Sequence, residues 1–304
     1  EMCIRDSTWS KELKEIYDLY PSLQIVFSGS SLLNILNADA DLSRRCLPYN
    51  MYGLSFREFL MFYKNIRIPV ASLQEVLENA GDICLGINEQ CRPVQMFNEY
   101  LHDGYYPFFT GNREDYYINI ENIVNLILEQ EMPLLCGVDP AYIRKLKALL
   151  SILASSVPYE VDITKLAGTI GLTRNSVITY LQNLDRAELL KLLYSDLTSV
   201  KKMQKPDKIY LQNPNLLYAI ASTSVQIGTA RETFAISQLS VNHEIEYGKT
   251  QGDFVVDHKY TFEVGGADKT FKQIADLPDS FILADNIEYA TGKKLPLWII
   301  GLTY

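Results

Sequence analysis

With 304 residues, 47% of them apolar and 21% charged, the chain has an ordinary globular composition and room for two or three cores. Its net charge of −9 and pI near 5.0 exclude a protein that coats nucleic acid along its whole length. Five scattered cysteines without a CxxC, and only three histidines, argue against zinc. No signal sequence and no apolar run of 18 residues is present, which predicts a soluble, cytoplasmic protein with reduced thiols and no membrane contact.

Residues 7–20 place Trp9, Leu13, Ile16, Tyr17 and Tyr20 at helical spacing, and Pro21 closes that helix. Ile25, Val26 and Phe27 then form a short run that halts at Ser28-Gly29-Ser30-Ser31. Such a run predicts a buried strand of a parallel sheet feeding a helix over 31–37. Its polar tip would lie at the carboxyl end of the sheet, where open α/β folds bind ligands. From these residues alone, the serines serve equally as a strand-to-helix turn with Ser30 or Ser31 as N-cap. Arg44 and Arg45 follow Asp39 and Asp41, so a solvated, salt-bridged pair is the plain alternative to a functional arginine.

Residues 55–135 read as helices. Phe56, Phe59, Leu60 and Tyr63 share one apolar face, Leu73, Val76 and Leu77 another, and Met96, Tyr100 and Leu101 a third. Gly104 and Pro107 break the pattern, and its aromatic surroundings read as packing.

A new unit begins near Asp139-Pro140. Helices are expected over 142–154 and over 163–170 with Asp162 as cap, then one from Thr173 through 189. Two strands, 190–194 and 208–211, flank a lysine-bearing loop. This is the order of a winged-helix domain. Residues 141–220 hold 11 Lys and Arg against 6 Asp and Glu, while both flanks are acidic. A DNA contact would therefore use Arg174, Asn175, Ser176 and Thr179 at the start of the second helix of the pair, with Lys201, Lys202, Lys205 and Lys208 on phosphates. The alternative is a protein-interaction or spacer module. From residue 229 the pattern is a helix over 231–240, strands at 243–248, 253–257 and 260–266, a helix over 269–275, and strands at 281–286 and 295–302.

The strand ending in Ser28-Gly29-Ser30-Ser31, then Arg45, then Leu54-Ser55-Phe56-Arg57-Glu58-Phe59, resembles the second half of an ATPase module. The family is that of prokaryotic AAA-type ATPases carrying a C-terminal DUF4143-like, restriction-endonuclease-like domain. The likeness is good over residues 9–59 and thinner beyond. It implies that Ser28 senses the γ-phosphate, and that Arg45 reaches a nucleotide in another copy or a partner subunit. It also implies ATP and Mg as cofactors of the full-length protein, and a helical lid after the sheet. No GxxxxGK[ST] occurs in the sequence, and no apolar strand precedes Trp9. The chain is thus expected to be a truncated fragment without Walker motifs, itself inactive and binding no nucleotide.

The C-terminal likeness implies Asp253 and Glu263 as metal ligands, with Glu232 from the preceding helix. The lysine two residues after the glutamate is replaced by Gly265. That predicts a degenerate site unless Lys259, Lys269 or Lys272 takes over. The expected architecture is α/β: a partial AAA P-loop sheet (1–54), a lid (55–138), a winged helix (139–220) and a nuclease-fold domain (221–304). The expected function is a nucleotide-dependent switch or motor. The alternative is a DNA-binding winged-helix protein with a degenerate metal-dependent nuclease domain.

Overall fold

The computed structural model describes residues 9–28, 42, 45–47, 49–109, 111–155, 159–160, 162–195, 205–221, 225–249 and 252–304. It is a mixed α/β protein in which helices dominate. Helix α1 (Trp9–Leu19) carries the anticipated apolar stripe, yet none of its residues is buried. Trp9 meets Phe27 at a ring distance of 5.8 Å. Residues 23–28 form no strand, and Val26 is 98% exposed. This corrects the expectation of a buried parallel strand. Such a strand is held by neighbours on both edges and both faces, and no described strand lies beside this one. The helix expected over 31–37 lies outside the described residues.

Two cores make up the rest. The first joins α5 (Arg113–Leu126), its π-helical continuation (Ile127–Glu131) and a short helical turn (Met132–Cys136) with α6 (Ile143–Ser155), α7 (Ile163–Ile170), α8 (Arg174–Arg186) and α9 (Pro214–Ala221). A small antiparallel sheet completes it, in the order β1 (Tyr159–Glu160), β3 (Lys208–Leu211), β2 (Leu190–Leu193), with Leu192 opposite Ile209. Local chemistry sets these boundaries. Asp162 accepts from the N–H groups of Thr164 and Lys165, Gly171 at φ 64° closes α7, and Thr173 caps α8.

The second core packs α2 (Phe56–Lys64), α3 (Leu73–Asn88) and α4 (Pro93–Asp103) with α10 (Ile227–Leu239) and a five-stranded sheet. Ser55–Glu58 and Ser72–Glu75 capping boxes start α2 and α3. In the sheet, β4 (Ile245–Tyr247), β5 (Phe254–Val256) and β6 (Tyr260–Gly265) run antiparallel. Strands β7 (Ser280–Ala284) and β8 (Lys294–Pro296) continue it in parallel, with Glu263 beside Ile282. The tight β5–β6 turn sets Asp257 and His258 at φ 53° and 55°. Asp257 accepts from the Glu244 N–H, and His258 pairs with Glu246 at 2.7 Å, so the turn's side chains tie it to the neighbouring strand β4.

Residues 55–138 hold no core of their own: 56–105 pack into the second core and 116–138 into the first. Asn215 stitches the two. It accepts from the Tyr105 N–H and the Tyr116 hydroxyl and donates to the carbonyls of Tyr100 and Leu101. Two further expectations change. Residues 269–275 make only a 3-10 turn (Phe271–Gln273), and Leu297–Leu302 is a buried 3-10 helix rather than a strand. An unbroken apolar run such as LWIIGL has no period to separate the two.

Candidate functional site

Of the side chains implied by the C-terminal resemblance, Asp253 lies within electrostatic reach of both Glu232 and Glu263, but the three do not converge on one point. Glu232 lies on the first half of α10, Asp253 just ahead of β5, and Glu263 inside β6. Asp253 Oδ2 accepts from the Val264 N–H at 2.8 Å, which holds its charge beside β6. Burial raises the carboxyl of Glu232 above its ordinary value, and the Asp253 charge raises it further. Glu263, 3% exposed, is raised for the same two reasons, and its bond to Lys269 opposes them.

The residue that sequence reasoning left open is the cation. Gly265 offers no side chain, but the stem of Lys269 lies across it. A Cβ built on Gly265 would stand 2.8–2.9 Å from the Cβ, Cγ and Cδ of Lys269. The Lys269 ammonium thereby reaches Glu263 Oε1 at 2.5 Å. The Lys269 N–H bonds the Gly266 carbonyl in a turn, which is why no helix forms there. Lys259 instead donates to its neighbour Tyr260.

A second lysine enters from β3, the strand that lines both cores. Lys208 on β3 sits 3.6 Å from Glu232 Oε2 and 5.1 Å from the centre of the Tyr247 ring. The Tyr210 hydroxyl donates to that same Glu232 oxygen at 2.6 Å. This contact had no sequence signal, since only packing brings β3 and α10 together. Beside it, Arg231 Nε bonds Asp285 Oδ2 at 2.7 Å. Glu232 and Glu263 thus each hold a lysine, and the cluster ties β3 to α10 and β6.

The other candidates lie elsewhere. Ser28 is exposed at the end of the extended run. Arg45 forms a two-bonded ion pair with Asp18 of α1, at 3.0 and 3.2 Å. Arg174 and Asn175 are exposed on the first turn of α8, below the Thr173 cap. Lys201 and Lys202 fall outside the described residues, as do Asp39, Asp41 and Arg44. The aromatic stretch at 105–109 is packing: the Tyr106 hydroxyl accepts from Asn213, and its ring contacts Phe108 and Tyr116.

Comparison with known proteins bears on the N-terminal segment and the middle of the chain. Residues 5–60 match a family described as an AAA domain. Residues 94–226, from α4 to the start of α10, match a domain of unknown function, DUF8612. The second family that matches is thus not the DUF4143-like one, and its match stops before β4. An uncharacterized protein of Methanocaldococcus jannaschii is 28% identical over 206 residues, covering 66% of this chain and 43% of that protein. The matched part is thus less than half of the relative's length. No solved structure matches the chain.

Among the described residues, no three His, Cys, Asp or Glu side chains converge to hold a metal ion. The 304-residue sequence holds no GxxxxGK[ST] loop to cradle a triphosphate. Among the described residues, no helix is long and apolar enough to cross a membrane.

Proposed function

We propose that this chain is the body of an AAA-type ATPase, a nucleotide-dependent switch or motor whose ATP- and Mg-gripping half is contributed by sequence outside these residues. One observation carries the reading. Among the described residues, the segment that matches the AAA family contains an amphipathic helix with no buried residue and an apolar run that pairs with no strand. Apolar stripes of that kind exist to be covered, and the missing part of a parallel sheet covers both. In this reading Ser28 senses the γ-phosphate. Arg45 leaves Asp18 to neutralise transition-state charge on a nucleotide held by another copy or partner subunit. The experiment is calorimetric titration of the chain with Mg-ATP. The reading expects binding weaker than about 10 μM, roughly −7 kcal/mol. Tighter binding would place a nucleotide site within these residues and overturn it.

A second reading is favoured by the order of the first core. Helix, strand, helix, helix and hairpin, with exposed Arg174 and Asn175 opening α8, support a winged-helix unit able to meet DNA. The helix followed by three antiparallel strands and a parallel fourth supports a nuclease-like unit next to it. Its carboxylates are already spent on Lys208 and Lys269, so this unit is a docking element. Incubation with single- and double-stranded DNA and RNA and Mg²⁺ or Mn²⁺ is expected to give no cleavage. Cleavage lost in Asp253→Ala would reverse that conclusion.

A further inference from the structure

The structure ties the AAA-matched segment to the second core through a strap rather than a free linker. The Leu54 N–H donates to the Tyr105 carbonyl at 2.7 Å, and the Tyr100 hydroxyl to the Leu54 carbonyl at 2.7 Å. The Tyr304 hydroxyl donates to the Gly53 carbonyl, while Ser55 Oγ and Arg57 Nε both donate to the Tyr304 carbonyl. Phe56, fully buried, fills the place that Gly301 leaves open, where an added Cβ would stand 2.4 Å from the Phe56 Cβ. Gln238 of α10 is the hub of this socket. Its Oε1 accepts from the Phe56 N–H at 3.3 Å, and its Nε2 donates to the hydroxyls of Tyr100 and Tyr304 at 3.0 and 3.3 Å.

The same helix reaches the lysine-compensated cluster. Glu232 precedes Gln238 by six residues, a rise of roughly 9 Å along the axis. There it accepts from Tyr210 and faces Lys208, both on β3, a strand that lines both cores, with Tyr210 in the second and Ile209 and Leu211 in the first. Between and before these anchors, Thr229, Thr233 and Ser237 recur every four residues, which places them on one face. All three are buried, and among the described residues none of their hydroxyls has a hydrogen-bond partner. Buried hydroxyls without partners penalise the arrangement that holds them. Helix α10 is therefore pinned by polar side-chain bonds at Glu232, at Gln238 and at Arg231, which holds Asp285, and left unpinned by side-chain hydrogen bonds along the face of Thr229, Thr233 and Ser237. A small slide or roll breaks no hydrogen bond there.

We infer that α10 is a transmission element: the strap held by Gln238 and the latch between Glu232 and Lys208–Tyr210 strengthen and weaken together. This rests on the ATPase reading for its purpose, since it gives nucleotide-driven motion of the AAA segment a route to the first core. The coupling itself is a property of the chain alone. Linkage requires it to be reciprocal.

Amide hydrogen exchange on the full chain tests it without nucleotide, so failure here is distinct from failure of the ATPase reading. Lys208→Met removes the latch from the β3 side and leaves α10 unaltered. It is expected to speed exchange at the Phe56 amide by about tenfold while Leu149 and Leu166 in the first core keep their rates, the mark of a sub-global opening. Conversely, Gln238→Leu should speed exchange at the Leu211 amide, while Lys208→Arg should leave the strap as it is. Tyr210→Phe, which deletes one hydroxyl, serves if Lys208→Met loosens the whole fold. Changes confined to the end that carries the substitution would overturn the inference.

Discussion

Gly265 shows how much one missing side chain can decide. Its backbone does not lie in the left-handed region, so alanine there meets no backbone strain. The obstacle is the stem of Lys269, which an added methyl must displace. The ammonium then leaves Glu263, and a carboxylate 3% exposed is left unpaired. Gly265→Ala is expected to destabilise the protein by about 1–3 kcal/mol, the usual range for a forced repacking or an orphaned buried polar group. Lys269→Ala should lie in the same range, and the double variant should cost little more than either single one, because both break one contact. Urea unfolding of the three variants measures this. Full additivity would show that Gly265 acts through something other than Lys269.

At the scale of elements, α10 and the sheet it covers concentrate buried acids. Burial raises the carboxyls of Glu232 and Glu263, as it raises those of Asp185 and Glu188 near the end of α8. A raised folded value means that the native state binds the proton more tightly than the unfolded chain. The resulting stability is fully present below the unfolded carboxylate value, about 4, and is lost as pH rises through the folded values. The melting temperature should therefore fall as pH increases across the mildly acidic range, and Glu232→Gln should flatten that slope. Scanning fluorimetry from pH 5 to 8 checks it, and a melting temperature that climbs with pH would contradict it. The elements themselves were largely legible. Ile163–Ile170 and Lys208–Leu211 fall on their expected limits because Asp162, Gly171 and alternating apolar residues mark them. Helix α10 starts one turn before the expected position, since the 227–230 stretch carries no side-chain cap to announce it. The carboxylates of the cluster could be named from sequence. Lys208 could not, because its partnership depends on how two distant parts of the chain pack.

For the whole molecule, the decisive fact is that chain order and core order differ. Phe234 meets Phe97 and Tyr100 edge to face, although it lies more than 130 residues further along the chain. A charge-based view also changes at this scale. The basic stretch at 141–220 sends Lys208 into the acidic C-terminal cluster, so part of its positive charge is consumed internally. Chains ended after residue 221 keep the first core's helices but lose α10 and the five-stranded sheet. Such truncated chains should bind a hydrophobic dye strongly and lose cooperative unfolding of α2–α4. A sharp, dye-free transition would instead show that α2–α4 are stable without α10.

That interleaving has a consequence during synthesis. Residues 56–105 emerge first, bearing Phe56, Phe59, Phe97 and Tyr100, whose burial depends on residues 234–302. About 200 further residues must be translated before that surface is covered, which takes on the order of 10–40 s at ordinary elongation rates. For that interval an aromatic-rich helical hairpin stands bare beside the ribosome while the middle third folds ahead of it. The nascent chain is then open to chaperone capture and to pairing with a second copy's C-terminal sheet, so intermolecular exchange of α2–α4 becomes a hazard of rapid, concentrated expression.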